Sequence, residues 1–136
     1  MGERERECTV EFEVPFHDVD MMHIVWHGHY YKYMELARTE LLRRCDLDAG
    51  DVIGAKFRFV VIDSRCRYVY PLQYADRVRV AAWFADLRHR VRISYEVINL
   101  TAGRRAARGH TVLATTDLEG RLLMETPSEI VRRIAS

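Results

Sequence analysis

Phe16-His17-Asp18-Val19-Asp20-Met21-Met22-His23-Ile24-Val25-Trp26-His27-Gly28-His29-Tyr30 packs two carboxylates and four of the chain's six histidines into one short stretch. Tyr31-Lys32-Tyr33-Met34-Glu35-Leu36-Ala37-Arg38-Thr39-Glu40-Leu41-Leu42-Arg43-Arg44 follows at once. Tyr30, Met34, Ala37, Leu41 and Cys45 recur at spacings of three and four, and Tyr33, Leu36 and Leu42 widen the stripe. That pattern predicts a helix from about residue 29 to 45 with a broad apolar face. The polar stretch is therefore a loop that delivers the chain onto a helix N-terminus. The first backbone N–H groups there lack intrahelical partners and carry partial positive charge.

Upstream, residues 8–16 alternate through Val10, Phe12, Val14 and Phe16, the period of a half-buried strand. Downstream, Asp46 to Asp51 reads as a turn-rich connection. Phe57–Tyr70 reads as a long strand whose alternation shifts near Asp63-Ser64, as at a bulge, and Pro71 ends it. Arg77–Leu87 and Arg90–Ile98 alternate cleanly. Ala106–Thr116 is a further strand, and Asp117–Gly120 a hairpin turn returning through Arg121–Met124. A last short helix has Thr126 as expected N-cap, Pro127 at its first position and Glu129 completing a capping box. One widely apolar helix and one meandering sheet pack best with the sheet curled around the helix. The expected class is α+β, as a single domain over residues 1–136.

Composition narrows the function. The 136 residues suit one core. A net charge of +1 gives no electrostatic case for nucleic acid or an acidic membrane, although arginine is locally dense. No apolar run is long enough to span a bilayer, so no membrane insertion is expected. The N-terminal residues are polar and lack a signal-like apolar core. Cys8, Cys45 and Cys66 are odd in number and widely spaced, which fits reduced thiols in a cytoplasmic protein.

The residues Asp18-Val19-Asp20, then Ile24-Val25-Trp26-His27-Gly28-His29-Tyr30, then Tyr33-Met34-Glu35-Leu36-Ala37-Arg38 resemble the 4-hydroxybenzoyl-CoA thioesterase family of hotdog-fold acyl-CoA thioesterases. The family pattern is D-x-D-x-x-G-[IV]-V-[YFW]-[HY]-x-x-Y, then a helix reading Y-x-x-[FYW]-x-E-x-[AG]-R. Tyr68-Val69-Tyr70-Pro71 and Tyr74-Ala75-Asp76-Arg77-Val78 also look like the family's central strand and its following turn. The resemblance implies a hotdog fold and hydrolysis of an acyl thioester, with coenzyme A or phosphopantetheine as part of the substrate and no cofactor beyond it. It implies Asp20 as the catalytic carboxylate and His27 at the oxyanion position. It also implies a homodimer or homotetramer with sites at the subunit boundary. The sequence departs from the pattern at His23, where the family has glycine, and at His29, where it has asparagine. His23 is thereby placed beside the site, with Trp26, Gly28 and Tyr30 as further substrate-binding candidates.

Other readings remain open at this level. Asp18 suits a loop brace bonding nearby backbone N–H groups. The histidine-rich loop could suggest zinc, but Ile24-Val25-Trp26 reads extended and no H-E-x-x-H is present, so no metal is expected. Cys66 reads as a core thiol. Arg104, Arg105 and Arg108 read either as a solvated strand face or as a phosphate clamp for the nucleotide end of coenzyme A, with Arg104 and Arg105 as candidate ligands. The partner is then acyl-CoA or an acyl carrier protein. The rival is a non-catalytic hotdog module that binds acyl groups or an acyl carrier protein.

Overall fold

The computed structural model describes residues 4–48 and 56–135, so residues 49–51 of the expected turn-rich connection lie outside it. The elements run β1 (Glu5–Glu13), a 3-10 turn (Phe16–Asp18), α1 (His29–Arg44), β2 (Arg58–Tyr68), β3 (Arg77–Asp86), β4 (Val91–Asn99), β5 (Arg104–Thr116) and α2 (Ser128–Ala135). The strands form one sheet in the order β1-β3-β4-β5-β2, antiparallel throughout. This is the α+β hotdog arrangement, with α1 across one face of the sheet.

The periodicities explain the packing. Val91, Ile93, Tyr95 and Val97 of the central strand are fully buried toward α1, as are Val78, Val80 and Ala82 of β3. From α1, Tyr30, Tyr33, Met34, Ala37 and Leu41 meet them. Gly109 on β5 sits under Met34, whose sulfur would be 3.1 Å from an added Cβ; that Cβ would also strike the Arg65 carbonyl. A side chain there would push the helix or β2 away. Ile130 and Ile134 of α2 close the core at the far end of α1, where Arg133 bonds the Asp46 carbonyl.

Four local expectations need correction. Phe16 does not continue the buried face of β1. Pro15 interrupts the strand, and Phe16 opens the 3-10 turn, 74% exposed and edge-on to Tyr74. Leu36 is 48% exposed, so the α1 stripe is narrower than the sequence suggests. Arg121–Met124 forms no strand; only Leu122 bridges back to Thr116. The capping box at α2 does not form: Pro127 immediately precedes the helix, and the Thr126 hydroxyl donates to the His89 carbonyl instead. The expected bulge in the long strand is present, between Val61 and Asp63 of β2.

Candidate active site

The loop between the 3-10 turn and α1 folds back on itself. Val19 and Val25 form an antiparallel bridge, the Asp20 N–H donates to the Ile24 carbonyl (2.9 Å), and the His23 N–H donates to the Asp20 carbonyl (3.0 Å). The turn closes with His23 at φ +67°, a left-handed conformation that glycine adopts without strain and histidine does not. The position therefore has a backbone reason to favour glycine. Two bonds fasten the loop outward: Trp26 N–H to the Asp18 carbonyl (3.1 Å) and Val25 N–H to the Leu72 carbonyl (2.8 Å).

The two carboxylates have opposite destinations. Asp18 is buried against α1. Its Oδ1 accepts from Lys32 Nζ (2.7 Å) and its Oδ2 from the Tyr33 hydroxyl (2.6 Å). Burial pushes this carboxyl up, but the bonds from Lys32 and Tyr33 and the Lys32 charge outweigh it and hold it below the usual carboxylate range. Asp18 is thus a brace, though through side chains on α1 rather than the backbone N–H groups expected. Asp20 makes the backbone bond instead: its Oδ1 accepts from Met22 N–H (2.8 Å). Its Oδ2 accepts no hydrogen bond among the described residues.

Asp20 lines a cleft of about 270 Å³ together with Ile24, Val25, His27, Tyr30, the last residue of β2, Tyr68, and the segment after it, Val69 to Pro71. Tyr68 fixes the helix entry: its hydroxyl donates to the His27 carbonyl (2.8 Å), and its ring stands edge-on to Tyr30 at 4.8 Å. The N–H groups of His27 and Gly28 donate to no other group among the described residues. Burial pushes the Tyr30 phenol up to about 12, against the lowering by a backbone hydrogen bond at Leu72, and pushes Tyr68 higher still. Both hydroxyls are therefore donors and not bases at neutral pH. Buried Asn99 anchors the far wall, donating to the Pro71 carbonyl (3.3 Å) and to Asp76 Oδ2 (2.9 Å).

A scan against family descriptions matches residues 14–134 to the thioesterase-like superfamily. The chain belongs to that superfamily. The Bacillus subtilis protein YneP, named provisionally as an acyl-CoA thioesterase, is 32% identical over 76 residues, 56% of this chain. That match spans only 55% of YneP's length. Among solved structures, an Aquifex aeolicus protein of unassigned function superposes with a TM-score of 0.82 at 25% identity, covering 93% of this chain and 98% of that one. A gentisyl-coenzyme A thioesterase gives 0.79 at 26%, covering 92% and 99%. A 4-hydroxybenzoyl-CoA thioesterase gives 0.82 at 18%, covering 95% and 99%, and so shares the fold.

Within this thioesterase-like chain, Asp20, His27 and Tyr30 come together at one cleft. His23 and Trp26 do not line it. His23 is exposed at the loop tip, and the half-exposed Trp26 ring lies outside, over Gly28 and beside His27 (5.1 Å) and His29 (5.4 Å). The two arginines do not form one clamp. Both lie within β5 as regular partners of Asn99 and Ile98, so strand alternation sends Arg104 and Arg105 to different faces of the sheet. The Arg104 guanidinium stacks on Tyr70 at the cleft (4.5 Å), whereas Arg105 pairs with Glu96 (2.8 Å) on the opposite face. His17 and His29 approach Asp18 at 3.6 and 3.8 Å, but the Lys32 ammonium already occupies that carboxylate. Sequence reasoning did not assign Tyr68, Val69, Tyr70 and Pro71 to the site. Their only signal was the Tyr-x-Tyr-Pro ending of a long strand.

Proposed function

We propose that this chain hydrolyses an acyl thioester, carried by coenzyme A or an acyl carrier protein, in the Asp20 cleft. One observation carries the reading: Asp20, with one carboxylate oxygen tied to Met22 and the other unengaged, shares a cleft with His27, whose N–H is unengaged at the entry to α1. The thioester oxygen accepts from the His27 and Gly28 N–H groups, which polarise the carbonyl and favour the negative charge that develops on it. Asp20 Oδ2 either attacks the carbonyl carbon, expelling the thiolate and leaving a mixed anhydride that water then hydrolyses, or takes a proton from the attacking water. In the water route a C–O bond forms, the tetrahedral oxyanion collapses, the C–S bond breaks and the thiolate leaves with the proton. Tyr68 holds the His27 peptide in place through its carbonyl. Arg104 at the rim is suited to a phosphate of the carrier.

The reading includes a homodimer joined along β2. This strand is an outer edge of the sheet, and it exposes Val60, Val61 and Ile62 in succession. Long apolar edges pair with other chains unless covered. The end of the same strand lines the cleft, so pairing there would set two sites at the subunit boundary. No described helix is long and apolar enough to cross a membrane. The three cysteines are unpaired, which supports a cytoplasmic location. Turnover on a panel of aromatic and aliphatic acyl-CoA and acyl-carrier thioesters tests the activity. Tight acyl binding without turnover would favour the binding module over the enzyme.

A further inference from the structure

The face of the sheet opposite α1 carries a groove of about 750 Å³, within the size range of small-molecule sites. Alternation places it there: Ala107 and Gly109 of β5 face the core, so Arg108 and His110 face out. The register then sets Arg67 directly opposite Arg108 and Arg65 directly opposite His110. Like charges directly opposed on neighbouring strands repel, with Cβ atoms about 5 Å apart. The groove does little to relieve this. Its lining acid, Glu96, is taken by Arg4 (3.4 Å) and Arg105 (2.8 Å). The guanidiniums of Arg65, Arg67 and Arg108 make no ion pair or hydrogen bond among the described residues. Arg92 donates to His110 Nδ1 (3.1 Å), and the carboxylate nearest that ring, Asp63, lies 3.7 Å from its Nε2 at the edge of the groove. The whole chain carries only +1, so this concentration of cations is local.

We propose that this outer groove is a binding site for a phosphate-rich small molecule of nucleotide size, distinct from the Asp20 cleft. Arginine forks match phosphate oxygens in pairs, which suits several guanidiniums converging on one anion. A concave patch bounded by Glu96, Glu7 and Asp63 suits a compact polyphosphate better than a nucleic-acid strand, which needs an extended basic track. Two sources carry this chemistry, a free nucleotide and the nucleotide end of coenzyme A.

The test is calorimetric titration of adenosine 3′,5′-bisphosphate, ATP and inorganic pyrophosphate into the wild type, Asp20→Asn and the double variant Arg67→Ala/Arg108→Ala at low salt. Far-ultraviolet dichroism and a melt check that each variant is folded, and Arg67→Lys supplies a charge-conserving variant. The wild type and Asp20→Asn should bind at least one probe, more weakly as salt rises. The double variant should bind at least about tenfold more weakly, the scale of one lost charge-assisted bond. Kinetics with an acyl-CoA and the matching acyl-pantetheine separate the sources. A KM rise in the double variant for the acyl-CoA alone identifies the nucleotide end of coenzyme A, and unchanged KM values with lost ATP binding identify a free nucleotide. Either supports the site. Absence of binding by the wild type, equal binding by the folded double variant, or binding only of an RNA oligonucleotide or polyglutamate overturns it. Because binding is read without turnover, an inactive protein that binds these probes would sink the thioesterase reading and leave this one standing.

Discussion

Replacing Asp18 should cost stability and not chemistry. The carboxylate is 1% exposed and receives the hydroxyl of Tyr33, itself 1% exposed, at 2.6 Å. Asp18→Ala would leave that phenol buried without an acceptor and remove a charge-assisted bond, together about 2–3 kcal/mol. The Lys32 ammonium is nearly half exposed, so its pair adds under about 1 kcal/mol. The sum, about 3 kcal/mol, corresponds to a fall of roughly 10 °C in melting temperature for a domain of this length. Asp18→Asn keeps an acceptor for Tyr33 and loses mainly the charge, so it should fall by about 4 °C. The pH dependence gives a second reading. Because the folded state holds this carboxyl below its ordinary value of about 4, the unfolded chain binds more protons between the two values. Stability from Asp18 is therefore complete above about pH 5 and is lost as pH falls through the lower, folded value. Thermal melts followed by circular dichroism between pH 2 and pH 7 measure both effects, and Asp18→Asn should show a shallower acid limb than the wild type. Melts of Asp18→Ala within about 2 °C of wild type, or acid limbs that coincide, would refute the brace.

Three other perturbations have defined outcomes. His23→Gly relieves a left-handed histidine against some gain in unfolded-chain entropy, and should raise stability by about 0.5 kcal/mol in a chemical-denaturation curve; a loss would show that the ring makes contacts that matter. Tyr68→Phe removes the bond to the His27 carbonyl, costs about 1 kcal/mol, and should lower kcat severalfold with little change in KM, read by melt and steady-state kinetics. Val61→Lys places a charge on the exposed β2 edge and should shift sedimentation from dimer to monomer at micromolar concentration; an unchanged dimer would move the interface elsewhere.

Much of the fold was legible because period carries it. The spacing of Tyr30, Met34, Ala37 and Leu41 marked α1, and the alternation of Val91, Ile93, Tyr95 and Val97 marked a strand buried on one face. Even the bulge near Asp63 showed as a break in alternation. What failed was local competition that period cannot see. Pro15 turned Phe16 out of the sheet, and the Thr126 hydroxyl found the His89 carbonyl in place of a helix end. At the site, the loop half was readable because its residues are consecutive. The opposite wall, Tyr68 to Pro71, is brought in by tertiary packing and bonded to the loop through His27 and Leu72. The separation of Arg104 from Arg105 follows from β5 beginning at Arg104, two residues before the strand read from Ala106, so that neighbours there face opposite ways.

We propose that Asp20 performs the chemistry while Asp18 holds the loop. Asp20→Asn is nearly isosteric, and its amide oxygen can still accept from Met22 N–H. Steady-state kinetics of the wild type, Asp20→Asn and Asp18→Asn, on whichever thioester turns over fastest, test the claim directly. Asp20→Asn should lose at least about 10²-fold in kcat with KM and melting temperature nearly unchanged, and Asp18→Asn should keep its turnover within a few-fold. Near-normal turnover by Asp20→Asn, with activity abolished in a folded Asp18→Asn, would contradict it.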